Sequence, residues 1–248
     1  MNFVGIIPAR YASTRFPGKP LVEVGGKMMI ERVYEQVSKL LADVYVATDD
    51  ERIESAVKSF GGKVIMTSPN HQSGTDRIAE AVAKISAQGK NFDVAINIQG
   101  DEPFISPSQI KLLMDCFVDE TTQIATLVKK IENEETLFNA NSPKVVLNTN
   151  SEAITFSRST IPHIRSKEQK DWLSAHIFYK HIGIYAFKVE VLNAVTKLSQ
   201  SSLELAESLE QLRWIENGYK IKVAETVYEN ISIDTINDLN AILEKGGF

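Results

Sequence analysis

The feature that most constrains the fold is a regular alternation of short apolar runs with longer amphipathic segments. The apolar runs are rich in β-branched residues and end in polar loops, which predicts buried strands at residues 4–9, 43–50, 63–67 and 93–103. The amphipathic segments have helical periodicity and cover residues 28–41, 50–60, 75–85 and 106–118. This alternation predicts an α/β, Rossmann-like fold in which helices flank a mostly parallel central sheet.

The middle of the chain departs from this alternation. Between about residues 122 and 187 the predicted strands lie closer together, which indicates antiparallel pairing. We therefore predict a single domain over residues 1–248, with an inserted subdomain at approximately 122–187. Beyond the insertion the sequence predicts helices at 188–198 and 202–217, a strand at 220–227, a short strand at ISIDT (231–235) and a closing helix.

Bulk properties argue against several classes of protein. The 248 residues have a formal net charge of −5, whereas general nucleic-acid binders are usually basic, so we predict no nucleic-acid partner. No apolar run approaches the roughly 20 residues of a membrane helix, and the N-terminus lacks the features of a signal peptide, so we expect no membrane association. The one cysteine, Cys116, cannot form a disulfide within the chain, which suits a cytoplasmic location.

A dense group of cations follows the first predicted strand. In IIPARYASTRFPGKPL (6–21), Arg10, Arg15 and Lys19 are interleaved with prolines and Gly18. Open parallel sheets bind ligands beyond the carboxyl ends of their strands, and arginine and lysine bind phosphate oxygens. The loop therefore predicts a phosphate-bearing ligand, the alternative being a solvated basic loop. The chain contains neither GxxxxGK[ST] nor GxGxxG, so a P-loop nucleotidase or a dinucleotide oxidoreductase is poorly supported.

Together with this loop, several further stretches resemble the CMP-sugar synthetases, nucleotidyltransferases that activate acidic sugars with CTP. These stretches are HQSGTDR (71–77), NIQGDEPFI (97–105), KVVL (144–147), FSRSTIP (156–162), KHIGIYAF (180–187), LEQLR (209–213) and ISIDT (231–235). The joint match extends over essentially the whole chain. It is most similar to the members that activate 3-deoxy-manno-octulosonate (Kdo).

The resemblance implies a reaction, a cofactor and an oligomeric state. CTP and Kdo would give CMP-Kdo and pyrophosphate, with Mg²⁺ as cofactor, for lipopolysaccharide biosynthesis. The anomeric hydroxyl of Kdo would attack the α-phosphate in line, which requires alignment and charge neutralisation more than a covalent nucleophile. The family is typically dimeric, and we expect the mid-chain insertion to form the dimer contact.

The resemblance also assigns catalytic and nucleotide-binding residues. It implies that the loop cations grip the triphosphate and that two carboxylates hold Mg²⁺. The catalytic residues are Arg10, Arg15, Lys19, Asp101 and Asp234, of which Asp101 and Asp234 are the expected metal ligands. The nucleotide-binding residues are Pro8, Ala9, Arg10, Ser13, Arg15, Lys19, Ser73, Gly74, Arg77, Gln99 and Gly100.

Another set of residues is assigned to the sugar acid. A polyhydroxy acid needs a cation for its carboxylate and neutral or acidic groups for its hydroxyls. The candidates are Gln99, Arg158, His181, Tyr185, Glu210 and Gln211. Gln211 lies on a predicted helix, where a glutamine is usually exposed.

Several of these residues have simpler structural interpretations. Asp234 would serve equally as the N-cap of a helix beginning at Thr235, and we prefer the metal because Asp101 matches as well. Asp49 and Asp50 also follow a strand, but they resemble helix caps. We interpret His71 as a surface or structural histidine, because the reaction does not require it as a general base.

Two other functions stay open at the level of sequence. The first keeps the chemistry and changes the acid to 8-amino-Kdo or sialic acid, a choice that depends on the sugar-acid residues. The second is a non-catalytic nucleotide-binding protein on the same fold. That function predicts loss of a metal carboxylate or a loop cation, whereas Asp101, Asp234, Arg10, Arg15 and Lys19 are all present.

Overall fold

The structure is a computed structural model that describes residues 1–13, 16–229 and 231–245. It divides into two compact units. The terminal unit comprises Met1–Lys111 and Asn230–Phe248, and the middle unit comprises Leu112–Glu229. The segment predicted as an insertion, 122–187, lies within the middle unit.

The terminal unit is built on a parallel sheet. The strands of the unit are β1 (Phe3–Ala9), β2 (Glu23–Val24), β3 (Lys27–Met28), β4 (Val44–Thr48), β5 (Val64–Met66) and β6 (Val94–Asn97). The sheet has the order β6-β1-β4-β5, and each of its neighbouring pairs is parallel. Strands β2 and β3 form a separate antiparallel hairpin. The carboxyl ends of the parallel strands share one edge, which is where the candidate site residues begin.

Helices α1 (Met29–Ser38), α2 (Glu51–Ser59) and α3 (Gly74–Ala87) pack against this sheet. The chain also forms α4 (Pro107–Cys116) and α10 (Ile236–Lys245). Helix α1 buries the predicted face of Met29, Ile30, Val33 and Val37. Asp50 is confirmed as the N-cap of α2, since its side chain accepts a hydrogen bond from the Arg52 N–H. The predicted fold class, a mostly parallel sheet flanked by helices, is confirmed.

The middle unit is mainly antiparallel, as expected for the mid-chain segment. Its strands are β7 (Ile124–Lys130), β8 (Lys144–Leu147), β9 (Ala153–Ser157), β10 (Tyr179–Lys188) and β11 (Ile221–Glu225). The pairs β7–β10, β10–β8 and β8–β9 are antiparallel, and β11 pairs in parallel with β7. Its helices are α5 (Glu134–Phe138), α6 (Trp172–Ala175), α7 (Val189–Val195), α8 (Ser202–Glu207) and α9 (Gln211–Glu216).

Two predicted elements were wrong. The single helix expected over 202–217 is divided into α8 and α9, because Ser208 adopts a left-handed conformation with φ of 52° that ends the first helix. The short strand expected at 231–235 does not form in its described residues, although the Ile233 N–H donates to the carbonyl oxygen of Asp101 at 3.0 Å. That hydrogen bond still brings the C-terminal segment beside the end of β6.

Across residues 1–13, 16–229 and 231–245, no helix combines the length and the apolar character needed to cross a membrane.

Candidate active site

A cavity of about 280 Å³ in the terminal unit collects most of the predicted nucleotide-binding residues. It lies at the carboxyl ends of β1 and β6, where open parallel sheets bind ligands. The predicted residues that line it are Pro8, Ala9, Arg10, Ser13, Lys19, Ser73, Gly74, Arg77, Gln99, Gly100, Asp101 and Asp234. Arg15, also predicted here, lies outside the described residues. Pro20, His71 and Gln72 line the cavity as well and were not assigned to the nucleotide from sequence.

Tyr11 organises the loop that carries the cations. Its carbonyl oxygen accepts the N–H groups of Ser13 and Gly18, each at 3.0 Å. Gly18 has a φ of 73°, and a Cβ there would lie 3.1 Å from the Tyr11 ring, so only glycine fits without strain. The Arg52 guanidinium stacks on the same ring, 3.3 Å from its centroid. Sequence reasoning missed this contact, because Arg52 lies on a helix 41 positions away from Tyr11.

Two distant carboxylates converge on the loop's lysine. The Nζ atom of Lys19 lies 2.7 Å from Oδ2 of Asp101 and 3.1 Å from Oδ1 of Asp234. Asp101 follows β6, and Asp234 follows Ile233, a buried residue that packs with Val24 and Met29. The apolar cluster around Ile233 therefore anchors one carboxylate next to the other.

The cap of helix α10 is Thr235, which corrects the alternative interpretation of Asp234. The Thr235 hydroxyl accepts the Asp238 N–H at 3.2 Å, and the Asp238 carboxylate accepts the Thr235 N–H at 2.8 Å. This reciprocal arrangement is a capping box. With capping supplied by Thr235, the carboxylate of Asp234 is directed to Lys19 instead.

The N-terminus of α3 forms the side of the cavity that faces β1. Ser73 caps this helix in a capping box with Asp76. Gly74 lies against Pro8, and a Cβ at Gly100 would lie 2.9 Å from the Pro8 carbonyl oxygen. The glycine at position 100 thus lets the loop after β6 lie close to the backbone of β1.

Arg77 and His71 are held by protein groups at the edge of this cavity. Arg77 is buried, donates to the Thr67 hydroxyl at 2.7 Å and pairs with Asp49 at 3.3 Å. The Nε2 atom of His71 is hydrogen-bonded to the carboxylate of Glu80. Burial would raise the pKa of Glu80, but hydrogen bonds from Lys84, the Ser68 N–H and His71 outweigh it and lower the pKa to about 2. The partner of His71 agrees with the structural role inferred from sequence.

The sugar-acid candidates other than Gln99 lie in the middle unit. Arg158 donates from Nε to the Glu207 carbonyl at 2.7 Å, and its terminal nitrogens donate to the carbonyls of Ala140 and Ser208. The Glu207 carboxylate accepts the Ser157 hydroxyl and the Arg158 N–H, and these hydrogen bonds lower its pKa. Arg158 is therefore held in a fixed position by backbone oxygens.

Lys144 lies near this arginine and was not singled out from sequence. Its side chain is fully buried, and its Nζ donates to the Asn139 carbonyl at 2.9 Å. Burial lowers the pKa of Lys144, while the charge of Glu207 acts in the opposite direction. The signal in the sequence was a lysine that begins the β-branched run KVVL, an unusual residue for a buried strand.

His181 and Tyr185 flank an irregularity in β10. Pairing with β7 shifts register between Ile182 and Tyr185, and the Thr126 hydroxyl fills the gap by donating to the Ile184 carbonyl at 2.8 Å. Because that hydroxyl has a single proton, we assign the proton of the neutral His181 ring to Nε2, which lies 3.1 Å from the Thr126 oxygen. Burial lowers the pKa of His181 to about 3, so the ring is uncharged at neutral pH.

Tyr185 and Gln211 contribute buried polar atoms that have no hydrogen-bond partner among the described residues. These atoms are the Tyr185 hydroxyl oxygen and the Gln211 Nε2. Burial raises the pKa of Tyr185 well above its ordinary value, and the charge of Glu210 adds to this effect. Gln211 is only 5% exposed, so the expectation that a helix glutamine would be exposed was wrong. Leu212 and Trp214 on the same short helix are also buried, which draws Gln211 inward.

Arg213 connects Glu210 to the body of the middle unit. Its guanidinium contacts Glu204 at 2.8 Å, the Leu198 carbonyl at 3.0 Å and Glu210 at 3.5 Å. Both Arg213 and Glu204 are buried. An arginine inside the apolar run LRWI was the only sequence signal for this pair.

The two carboxylates of the terminal unit have the chemistry of a magnesium site. In the described part of the chain, no group of three or more histidine, cysteine or acidic residues could hold a metal. Asp101 and Asp234 nevertheless present hard oxygen ligands to one point, and a cationic ammonium stands there. Mg²⁺ commonly uses one or two carboxylates together with phosphate oxygens, so the residues present fit this ion.

Comparison with known proteins identifies the family of this chain. A family model described as "Cytidylyltransferase" matches residues 4–221. The chain is 62% identical over 247 residues to a 3-deoxy-manno-octulosonate cytidylyltransferase of Parabacteroides distasonis, covering 98% of this chain and 97% of that protein. It is 64% identical over 242 residues to the protein of the same name from Bacteroides thetaiotaomicron, covering 96% of each.

A solved structure extends the likeness to three dimensions. It is a CMP:2-keto-3-deoxy-manno-octonic acid synthetase complexed with CTP, 41% identical, with a TM-score of 0.90 and coverage of 99% of this chain and 98% of that one. The resemblance inferred from the sequence motifs is confirmed by all three comparisons. The chain therefore belongs to the cytidylyltransferase family and, within it, to the 3-deoxy-manno-octulosonate cytidylyltransferases.

Proposed function

We propose that this chain transfers the cytidylyl group of CTP to the anomeric hydroxyl of Kdo, giving CMP-Kdo and pyrophosphate. By family membership it is a CTP-dependent nucleotidyltransferase that activates Kdo. The observation that carries the proposal is the meeting of Arg10, Lys19, Asp101, Asp234 and the α3 N-terminus in one cavity. Cations, carboxylates and small residues in one place are what a triphosphate, a hard cation and a flat base require.

The reaction breaks the bond between the α- and β-phosphates and forms a bond from the sugar hydroxyl to the α-phosphorus. Negative charge grows on the departing pyrophosphate, and Arg10 and Lys19 are the residues that we expect to neutralise it. Arg15 of the same loop is proposed for the same role. Neutralisation in a partly enclosed cavity stabilises the transition state because the positive charges are held in place beforehand.

Asp101 and Asp234 are the proposed ligands of Mg²⁺. When bound there, Mg²⁺ would neutralise phosphate charge and acidify a coordinated hydroxyl. The chain's own contribution is to hold the two carboxylates together through the Ile233–Asp101 backbone hydrogen bond and the apolar cluster behind it.

The middle unit supplies the proposed sugar-acid residues Arg158, His181, Tyr185, Glu210 and Gln211. The buried, unpartnered atoms of Tyr185 and Gln211 support this assignment, because buried polar atoms normally find a partner. A polyhydroxy acid would supply oxygens for both. Gln99 remains a candidate from the cavity of the terminal unit.

We also propose a homodimer in the cytoplasm. Support for a dimer through the middle unit comes from Ile154 and Ile177, which are 53% and 51% exposed. An interface between two copies would remove these side chains from water. Burial raises the pKa of the free thiol of Cys116 to about 11, so it is a poorly reactive cysteine that suits a reducing compartment.

The test is pyrophosphate release from purified protein with CTP and Mg²⁺, adding Kdo, 8-amino-Kdo or sialic acid in separate reactions. Release with Kdo is the expected result. Release with another acid alone would keep the nucleotide site and move the error to the middle unit. No release with any acid, together with CTP binding by calorimetry, would favour a non-catalytic nucleotide-binding protein.

A further inference from the structure

The ammonium of Lys19 has two sets of partners, the triphosphate and two carboxylates, and it cannot bind both at once. As a loop cation it is assigned to the triphosphate, yet in the structure its Nζ donates to Asp101 at 2.7 Å and to Asp234 at 3.1 Å. These carboxylates are in turn the proposed ligands of Mg²⁺. The two ion pairs therefore occupy the ammonium that is assigned to the triphosphate and the carboxylates that are assigned to Mg²⁺.

The arrangement has a clear electrostatic reason. Two carboxylates that approach one point repel each other unless a cation lies between them. The ammonium of Lys19 lies within salt-bridge distance of both carboxylates and so neutralises part of their charge. The Lys19 side chain is only 15% exposed, whereas those of Asp101 and Asp234 are 26% and 35% exposed, so the carboxylates remain open to solvent ions.

The backbone permits the ammonium to leave without moving the loop. The Lys19 N–H donates to the Phe16 carbonyl, and the Lys19 carbonyl accepts the Val22 N–H, each at 3.2 Å. These bonds hold the main chain, while the four-carbon stem of lysine has rotatable bonds of its own. An ammonium at the end of such a stem can exchange partners by side-chain rotation alone.

We propose that Lys19 is an internal counter-ion of the metal carboxylates and exchanges places with the incoming divalent cation. In the protein without substrate, Lys19 neutralises part of the charge of Asp101 and Asp234, which the Ile233–Asp101 hydrogen bond and the apolar cluster behind it hold side by side. When Mg²⁺ arrives with CTP, Lys19 releases both carboxylates and turns to the triphosphate. The inference rests on the proposed function for the identity of the ligands, but its test requires no turnover.

The proposal predicts that removing the charge of Lys19 strengthens metal binding. Mn²⁺ binding without nucleotide is measured by electron paramagnetic resonance for wild type, Lys19→Met, Asp101→Asn and Lys27→Met. Lys19→Met should bind Mn²⁺ on the order of tenfold more tightly than wild type, because it removes a competing charge from ligands of unchanged type. Asp101→Asn should bind Mn²⁺ more weakly than wild type.

Lys27→Met is the matched control, since Lys27 is also paired with a carboxylate, that of Glu35, but lies outside the cavity lining. It should bind Mn²⁺ as wild type does. Unchanged, weaker or undetectable Mn²⁺ binding by Lys19→Met would overturn the proposal.

A second measurement uses the unaltered protein, so it holds even if a variant fails to fold. Acylation of individual lysines by an amine-reactive reagent is followed by peptide mass spectrometry, with and without Mg²⁺ and without CTP. Lys19 should react several-fold faster when Mg²⁺ is present, while Lys27 should not change. Equal Lys19 rates would contradict the exchange. If wild type releases pyrophosphate with Kdo while both measurements fail, only this inference is lost, whereas the proposed function stands.

Discussion

The cavity of the terminal unit and the sugar-acid residues of the middle unit hold their polar groups in opposite ways. In the cavity, the side chains of Lys19, Asp101 and Asp234 are partly exposed and neutralise one another. In the middle unit, His181 is uncharged and half-buried, and Tyr185 and Gln211 have buried atoms without a hydrogen-bond partner among the described residues. The first arrangement suits a ligand that exchanges ion pairs, and the second suits a ligand that supplies missing hydrogen bonds.

The difference has an energetic meaning. Partly exposed ion pairs contribute little to stability, so their exchange for phosphate or metal costs the fold little. A buried polar atom without a partner costs about 1–3 kcal/mol, which a ligand can return on binding. The terminal unit should therefore tolerate changes to its charges, whereas the middle unit should respond in stability.

The largest expected effect on stability comes from the buried pair of the middle unit. Arg213→Met leaves the Glu204 carboxylate buried without its partner, which should cost about 3–5 kcal/mol of unfolding free energy, measured by urea denaturation. The double variant Arg213→Met, Glu204→Leu should recover most of the loss, because no charge is then left buried. A single variant as stable as wild type would show that this pair is not structural.

In the terminal unit, Asp101→Asn should separate activity from stability. We expect turnover to fall roughly 100-fold or more, which is about 2.7 kcal/mol of transition-state stabilisation, because a proposed metal ligand loses its charge. The unfolding free energy should change by less than about 1 kcal/mol, since the Asp101 side chain is 26% exposed. Near-wild-type turnover would remove Asp101 from the metal site.

Acid should destabilise the protein through His181. Its pKa is 6.5 in an unfolded chain and about 3 in the fold, so the unfolded state takes up the proton first as the pH falls. The stability contribution is complete above pH 6.5 and is lost at up to about 1.4 kcal/mol per pH unit as the pH falls towards 3. Urea unfolding at pH 6.5 and 5 measures it.

The comparison for this prediction is between two histidine variants. His181→Gln should flatten the dependence on pH, because the amide does not titrate. His176→Gln changes an exposed histidine and should leave the slope as in wild type. Equal slopes in His181→Gln and wild type would assign the acid sensitivity to other groups.

The smallest expected effect concerns the hydroxyl of Tyr185. Tyr185→Phe removes an atom that has no hydrogen-bond partner in the described part of the chain, so the unfolding free energy should stay equal or rise by up to about 1 kcal/mol. The KM for Kdo should rise about tenfold, since one hydrogen bond to the ligand is lost, while the KM for CTP should not change. Tyr179→Phe, whose hydroxyl lies 3.4 Å from Glu225, is the control. An unchanged KM for Kdo would remove Tyr185 from the sugar-acid site.

The local sequence pattern predicted the helices and strands of this protein well where the spacing of apolar residues was clear. The buried face of α1 and the Asp50 cap follow from side-chain spacing and capping chemistry, which act over a few residues. The helix expected over 202–217 failed because Ser208 adopts a positive φ, and serine gives no sign of this in sequence. The burial of Gln211 was missed for a related reason, since helix periodicity does not say which face a short helix turns inward.

The sequence by itself determined the parallel α/β core, the location of the site at the carboxyl ends of the strands and the types of residue found there. These depend on period, on strand ends and on the chemistry of individual side chains. Tertiary structure alone decided which side chains meet: Lys19 pairs with an aspartate 215 residues away, and Arg52 stacks on Tyr11. Such pairs depend on how distant segments pack, as Ile233 does beside Val24 and Met29, and no local pattern carries that information.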